Sequence, residues 1–211
     1  ETLSGVTITN YKGAWGANVT VNVPAYINGS PVVALKCKFG QSGVNKEYNA
    51  INLPDGMVVL GERAFALCRV KDALKIPAGV REIGAVCFGV FYGNVYFDER
   101  NTIETIGENA FFGCFEMTAV DFGNGLQTVM PYAFAFCSSL TDIVLPDGVQ
   151  SVGNYAFSYC TLLGTASLPE KTQLGTEVFL SCADGFALTR RSGGEEPPAS
   201  GFVTVDGNLY Y

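Results

Sequence analysis

The sequence has no histidine. That excludes Ser-His-Asp and Cys-His nucleophile sites and every histidine-ligated metal. Charged residues make up only 16% of the chain, and no basic stripe is present to neutralise phosphates. Nucleic acid is therefore not an expected partner. No apolar run approaches the roughly 20 residues that a membrane helix needs, so no membrane insertion is expected. The opening "ETLSGVTITN" carries no signal-peptide pattern, and a processed start leaves the compartment open. Seven cysteines are present, but no C-x₂-C pair, so the close spacing of a zinc site is missing. No metal and no cofactor are expected.

What is present is apolar and small. Hydrophobic residues make up 48% of the 211 residues, and there are 25 glycines. That is ample for a large core and too apolar for disorder. The net charge of -7 is lopsided: residues 1–100 carry +2 and residues 101–211 carry -9. The acidic half reads as a solvated surface that favours solubility.

The organising feature is a repeat. Phe65, Phe88, Phe111, Phe134, Phe157 and Phe179 are separated by 23, 23, 23, 23 and 22 residues. A second ladder, in phase with the first, runs Leu53, Ile76, Phe122, Leu145, Leu168, with a missing rung at 99. A third runs Met57, Val80, Ile103, Leu126, Val149. Self-similarity at this period is the mark of a solenoid.

Residues 140–162, "LTDIVLPDGVQSVGNYAFSYCTL", show one coil. "LTDIVLP" alternates and reads as a strand with Ile143 and Leu145 inward, Asp142 and Val144 outward. Pro146 ends it, and "PDG" makes a turn. Val149 and Val152 return the chain to the core. "NYAFSY" reads as one turn of α- or 3₁₀-helix, capped by Asn154. A lone coil cannot bury its apolar side, so the coils stack and their strands align as a parallel sheet. The expected fold is an α/β solenoid, a right-handed superhelix of 23-residue coils.

Stacking also explains the cysteines. Cys68, Cys114, Cys137, Cys160 and Cys182 each follow a ladder phenylalanine by three. A small apolar side chain whose S–H donates weakly to a carbonyl suits that position. Phe91 takes this place in one copy, as packing tolerates. Disulfides between neighbouring rungs are not excluded by distance, but the odd count and the regular column favour free, buried thiols.

"LPDGMVVLGERAFALC", "IPAGVREIGAVCF", "IETIGENAFFGC" and "LPDGVQSVGNYAFSYC" resemble the BspA-like leucine-rich repeat. The resemblance covers nearly the whole chain. It implies a curved solenoid whose strands line the concave face, on a secreted or cell-surface bacterial protein. The family's roles are adhesion and protein binding, and it supplies no catalytic residues. Four departures mark places where a coil should bulge: an insertion near 40–49, "FDERNT" in the third copy, Met130 in place of glycine, and the one-residue deletion in "SLPEKTQLG".

The chain then divides into a strand-rich N-terminal cap (1–34), the leucine-rich repeat solenoid (35–182), and a C-terminal part (183–211). The solenoid holds one degenerate and six clear coils. Residues 183–200 read as loop. The rest supplies a capping strand or opens a further module.

Chemistry is scarce. "DFG" at Asp121–Gly123 lacks every companion of a kinase metal motif. Asp98 with Glu99, or Glu104 with Glu108, could be imagined as glycosidase acids, but nothing builds a pocket around them. No enzyme is expected. The expected function is a surface or secreted module that binds protein or glycan of host or neighbouring cells, as a monomer. A non-selective spacer in a larger envelope protein is the alternative. The outward positions of the strand face are Ala50, Asn52, Ala73, Lys75, Asn94, Tyr96, Ala119, Asp121, Asp142, Val144, Thr165 and Ser167. Tyr96 is the one aromatic among them. Tyr96, Lys75, Asp121, Asn94 and Asp142 are the candidate binding residues.

Overall fold

The computed structural model describes residues 4–14, 16–40, 46–98, 100–192, 204–205 and 208–209. It is a parallel β-solenoid, and the apolar ladders lie inside it. The six phenylalanines are all buried. Their ring centroids are 5.1, 4.9, 4.9, 5.1 and 5.7 Å apart, and interplanar angles stay within 16°. The widest step spans the deletion between Phe157 and Phe179. Phe39 extends the stack at 5.4 Å from Phe65, and Phe186 closes it at 4.9 Å from Phe179. Such aromatic pairs contribute about 0.5–1.5 kcal/mol each beyond their burial.

The sheet arrangement differs from expectation. The return segment, read only as a link to the core, forms the longest sheet. Val59–Leu60, Glu82–Ile83, Thr105–Ile106, Thr128–Val129, Ser151–Val152 and Gln173–Leu174 pair in parallel, one above the next. Ser30–Leu35 and Val6–Ile8 continue this sheet toward the N-terminus. The expected strand face is in three pieces. Gly16–Asn22, Lys46–Asn52 and Cys68–Val70 form one; Leu74–Ile76 and Val95–Phe97 form the second; Asp142–Val144, Thr165–Pro169 and Ala187–Arg191 form the third. Ala187–Arg191 lies in the stretch read as loop.

No helix forms among the described residues, so the α/β expectation gives way to an all-β coil. At "PYAFAFC" the N–H groups alternate in direction. Those of Ala133, Ala135 and Cys137 close turns within the coil, to Met130, Tyr132 and Phe134 carbonyls at 3.3, 3.1 and 3.2 Å. Those of Tyr132, Phe134 and Phe136 donate to the next coil, to Asn154, Ala156 and Ser158 at 2.9, 2.7 and 2.8 Å. A helix would keep every N–H for itself and leave the stacking edge unpaired. The alternation requires positive φ two residues before and two after the ladder phenylalanine, as at Tyr132 (57°) and Phe136 (63°). Each such non-glycine residue costs about 1–3 kcal/mol, offset by the bonds it aligns.

The departures from the repeat have different outcomes. Met130 makes no bulge: its N–H still reaches the Ile106 carbonyl at 2.9 Å, and the rings on either side stack normally. The deletion is absorbed in the turn before Gln173, which keeps its register with Ser151. Residues 41–45 of the expected insertion lie outside the described residues. The third copy does break the pattern. Phe97, not residue 99, pairs with Ile76 and packs edge-on against Phe111. Phe122 plays that role against Phe134 in the following coil. The rungs from Ile76 to Phe97 to Phe122 are thus 21 and 25 residues apart. The second, longer step puts the outer segment of the fourth coil out of register, and residues 118–121 form no strand.

Candidate functional site

That missing strand opens the outer face. Between the third and fourth coils lies a hollow of about 200 Å³, walled by Asn94, Tyr96 and Phe97 on one side and Met117, Ala119 and Asp121 on the other. Across the fourth coil lies a larger one, about 460 Å³, whose lining includes Asp121, Asn124, Val144, Pro146, Asp147 and Arg191. Asp121 borders both.

Tyr96 stands out from Val95–Phe97 with 57% of its surface exposed. It pairs across the sheet with Lys75. Lys75 is not free to hold a ligand by charge alone, because its Nζ lies 3.0 Å from Asp98 Oδ2. Arg100 Nε lies 3.1 Å from Asp98 Oδ1. The Arg100 side chain, its backbone N–H and then Lys75 hold the Asp98 carboxyl far below the usual carboxylate range. Asp98 is therefore a buried anchor for two cations; its imagined acid partner Glu99 lies outside the described residues.

Asn94 is exposed, and its carbonyl accepts the Leu74 N–H at 2.9 Å. Asp121 is exposed; its Oδ1 accepts the Gly123 N–H at 2.9 Å, which leaves the second oxygen available. Asn94, Tyr96 and Asp121 thus meet at one hollow, with Lys75 beside it. Asp142 does not join them. It stands on Asp142–Val144, accepts the Thr141 hydroxyl at 2.8 Å, and lines neither hollow. Ser167, expected outward, is buried. It sits in register between Val144 and Thr189, on a strand that the Arg191 side chain crosses to reach the Leu145 carbonyl and Asp147.

Arg191 and Asp147 were not anticipated. The signal available was that residues 101–211 hold only Lys171, Arg190 and Arg191 as cations. The turn edge was missed as well. Phe136 and Tyr159 stack there at 4.6 Å, and Tyr132 and Tyr155 at 5.1 Å, partly exposed beside the internal stack. Each of these rings gives one face to its stacking partner. A further hollow of about 780 Å³ on this edge has Tyr11, Leu67, Val90 and Phe112 in its wall and Lys36 and Lys38 at its rim.

The cysteine column is structural in its geometry. Cys114, Cys137, Cys160 and Cys182 direct Sγ to the carbonyls of Phe88, Phe111, Phe134 and Phe157, one coil back, at 3.2, 3.1, 3.2 and 3.4 Å. At the Phe39 carbonyl the Tyr48 hydroxyl is the donor instead, at 2.9 Å. All seven cysteines are free, and only Cys182 is partly exposed. Burial pushes the Cys37 thiol up to about 11 and the Cys68 thiol up to about 12. Among the described residues no group of three or more Cys, Asp or Glu could hold a metal ion. No helix among them is long and apolar enough to cross a membrane.

Comparison with known proteins points one way. A family model for the BspA type leucine rich repeat region matches in six copies, over residues 44–93 and 93–185. No curated protein matches the sequence. Among solved structures, a leucine rich cell surface protein from Faecalibacterium prausnitzii A2-165 is similar, at 22% identity and a TM-score of 0.59. That alignment covers 100% of this chain and 55% of the other. A leucine rich repeat protein of T. pallidum is similar at 25% identity and a TM-score of 0.45, over 88% of this chain and 63% of that one. The chain therefore spans somewhat over half the length of these two proteins.

Proposed function

The chain belongs to the BspA-type leucine-rich repeat family, a family of bacterial surface proteins, and from that premise we propose that it is a ligand-binding or adhesion module. In this reading it is secreted or held at the cell surface, acts as a monomer without catalysis, and binds a protein or glycan of the host or of neighbouring cells. Proteins of this repeat type are typically non-enzymatic scaffolds. The observation that carries the reading is the break in the outer strand ladder at residues 118–121, beside exposed Tyr96. Here two hollows adjoin on a rigid scaffold, and rigidity lowers the entropic cost of binding. Tyr96 adds apolar area with a polar tip, a common anchor type.

The competing reading is a spacer. It is favoured by the pairing of surface charges among themselves, as in Lys75 with Asp98 and Arg81 with Glu104 at 3.6 Å. A binding screen of the purified chain against extracellular-matrix proteins and a glycan array separates the two. A saturable ligand whose binding needs Tyr96 supports the module. A blank screen on both supports the spacer.

A further inference from the structure

The turn edge carries two columns of side chains, at the positions two before and two after each ladder phenylalanine. In the later coils both columns are aromatic. Tyr132 and Tyr155 stack in one, Phe136 and Tyr159 in the other. In the earlier coils the same positions hold Arg63 and Val86, and Leu67 and Val90. The backbone takes the same left-handed turn in both halves: φ is 55° at Val86 and 57° at Tyr132, 54° at Val90 and 63° at Phe136. The hollow of about 780 Å³ lies where the rings give out. Phe112 stands in its wall and meets Phe136 at 5.2 Å, so aromatic surface reaches it from one end. Tyr11, packed on Phe39 at 4.7 Å, lines it from the other. Leu67, Val86, Val90 and Phe112 are all partly exposed, so a ligand can reach them.

We propose that this hollow binds a small aromatic anion, with its ring against Val90 and Phe112 and its negative group at Lys36 and Lys38. The site is separate from the outer face around Tyr96 and goes beyond the function proposed above. Charge sets the head group. Lys36 and Lys38 are exposed, line the hollow and form no ion pair among the described residues. No carboxylate lines it. The acidic residues beside the lining are engaged elsewhere: Glu62 pairs with Arg63 at 3.0 Å, and Glu108 accepts from Asn109 Nδ2 at 3.4 Å. A cation would meet two uncompensated ammonium groups, whereas an anion gains a charge-assisted hydrogen bond from them. Shape sets the body. The volume falls in the range of about 300–1,000 Å³ that small-ligand sites occupy, and the wall is mainly apolar with few polar groups, as such sites are. A flat ring continues the packing that the columns themselves carry. An aliphatic chain gains burial there, but not the added attraction of ring on ring.

The test is calorimetry of the whole chain with naphthalene-2-carboxylate, with 2-naphthylmethanol, octanoate and acetate as controls. The expected result is saturable binding of the aromatic carboxylate, at least about tenfold weaker binding of the neutral alcohol and of octanoate, and none of acetate. The double variant Lys36→Gln, Lys38→Gln should bind the aromatic carboxylate at least about tenfold more weakly and the alcohol as the parent does. Val90→Phe puts into the hollow the ring that Phe136 and Tyr159 carry at the equivalent position. It should abolish binding without lowering the thermal midpoint, and Leu67→Phe, the same change one coil earlier, should do likewise. Tyr96→Ala should leave this binding unchanged. No saturable binding, equal affinity for the alcohol or octanoate, undiminished binding by the lysine variant or by both phenylalanine variants, or loss with Tyr96→Ala overturns the inference.

Discussion

The Cys160 thiol donates to the Phe134 carbonyl, one coil back, at 3.2 Å. The same carbonyl accepts the Cys137 N–H from its own coil, also at 3.2 Å. One oxygen thereby ties together two successive coils, and the relation repeats along the column. The thiol is the small group that can reach a second lone pair without disturbing the first bond. The hydrogen bond with the neighbouring Cys137 thiol, and then burial, hold Cys160 protonated far above the ordinary range.

The thiols should therefore be silent in the native state. A disulfide reagent at pH 8 is expected to label at most Cys182 quickly, and all seven cysteines once denaturant is added. Rapid native labelling of Cys137 or Cys160 would contradict the buried column.

The same shifts set an alkaline limit. An unfolded thiol titrates near 9.0, while Cys68 is pushed up to about 12. Above the unfolded value the unfolded chain loses protons that the folded chain keeps, so stability falls as pH rises. Each such thiol removes about 1.4 kcal/mol per pH unit between its two values. Denaturant melts should show no thiol-dependent change up to about pH 8 and a steepening loss above pH 9. A flat profile to pH 11 would refute this.

These relationships were legible to different depths. The phenylalanine stack could be read because a fixed period forces superposition whatever the coil conformation. The positive φ at Tyr155 and Tyr159 could not, because bulky residues in "NYAFSY" look helical to local preference. The inter-coil hydrogen bonds that demand it join residues 21 or more apart, as from Tyr155 to Thr176. The continuous sheet was missed because its strands are two residues long, too short for alternation to show. Tyr96, Asn94 and Asp121 were visible as outward positions. The hollows between them follow from the placement of Phe97, two residues before the expected rung.

Phe134 sits mid-stack with no exposed surface. Phe134→Ala should cost about 3–5 kcal/mol in denaturant melts, as large core truncations do. Asp142→Ala, on the outer face, should stay within about 0.5 kcal/mol. Equal effects would mean that the faces are inverted.

One glycine column, Gly61, Gly84, Gly107, Gly153 and Gly175, lies close against the coil before it. A Cβ on Gly153 would lie 2.4 Å from the Pro131 nitrogen, whereas one on Gly164 meets nothing nearer than 3.9 Å. Gly153→Ala should lose at least about 1–3 kcal/mol, the range for overpacking. Gly164→Ala should be neutral within about 0.5 kcal/mol. Similar melting curves for the two variants would refute the column.

The last prediction concerns the division of labour at the outer face. Lys75 and Tyr96 are cross-strand neighbours, but Lys75 is committed to Asp98 while Tyr96 is open. For a protein or glycan found in a binding screen, Tyr96→Ala should weaken binding at least about tenfold, as loss of an aromatic anchor does, without moving the melting temperature. Lys75→Ala should weaken it less, because Arg100 still holds the Asp98 carboxylate in place. Asp98→Asn should act differently from both. With its carboxyl depressed in the folded state, Asp98 contributes stability that is present above the ordinary value of 3.8 and lost as pH falls below it. Asp98→Asn should therefore flatten the acid side of the stability profile and leave the alkaline side unchanged. If Lys75→Ala abolishes binding while Tyr96→Ala does not, the ligand is held by charge from the lysine, and the aromatic anchor is wrong.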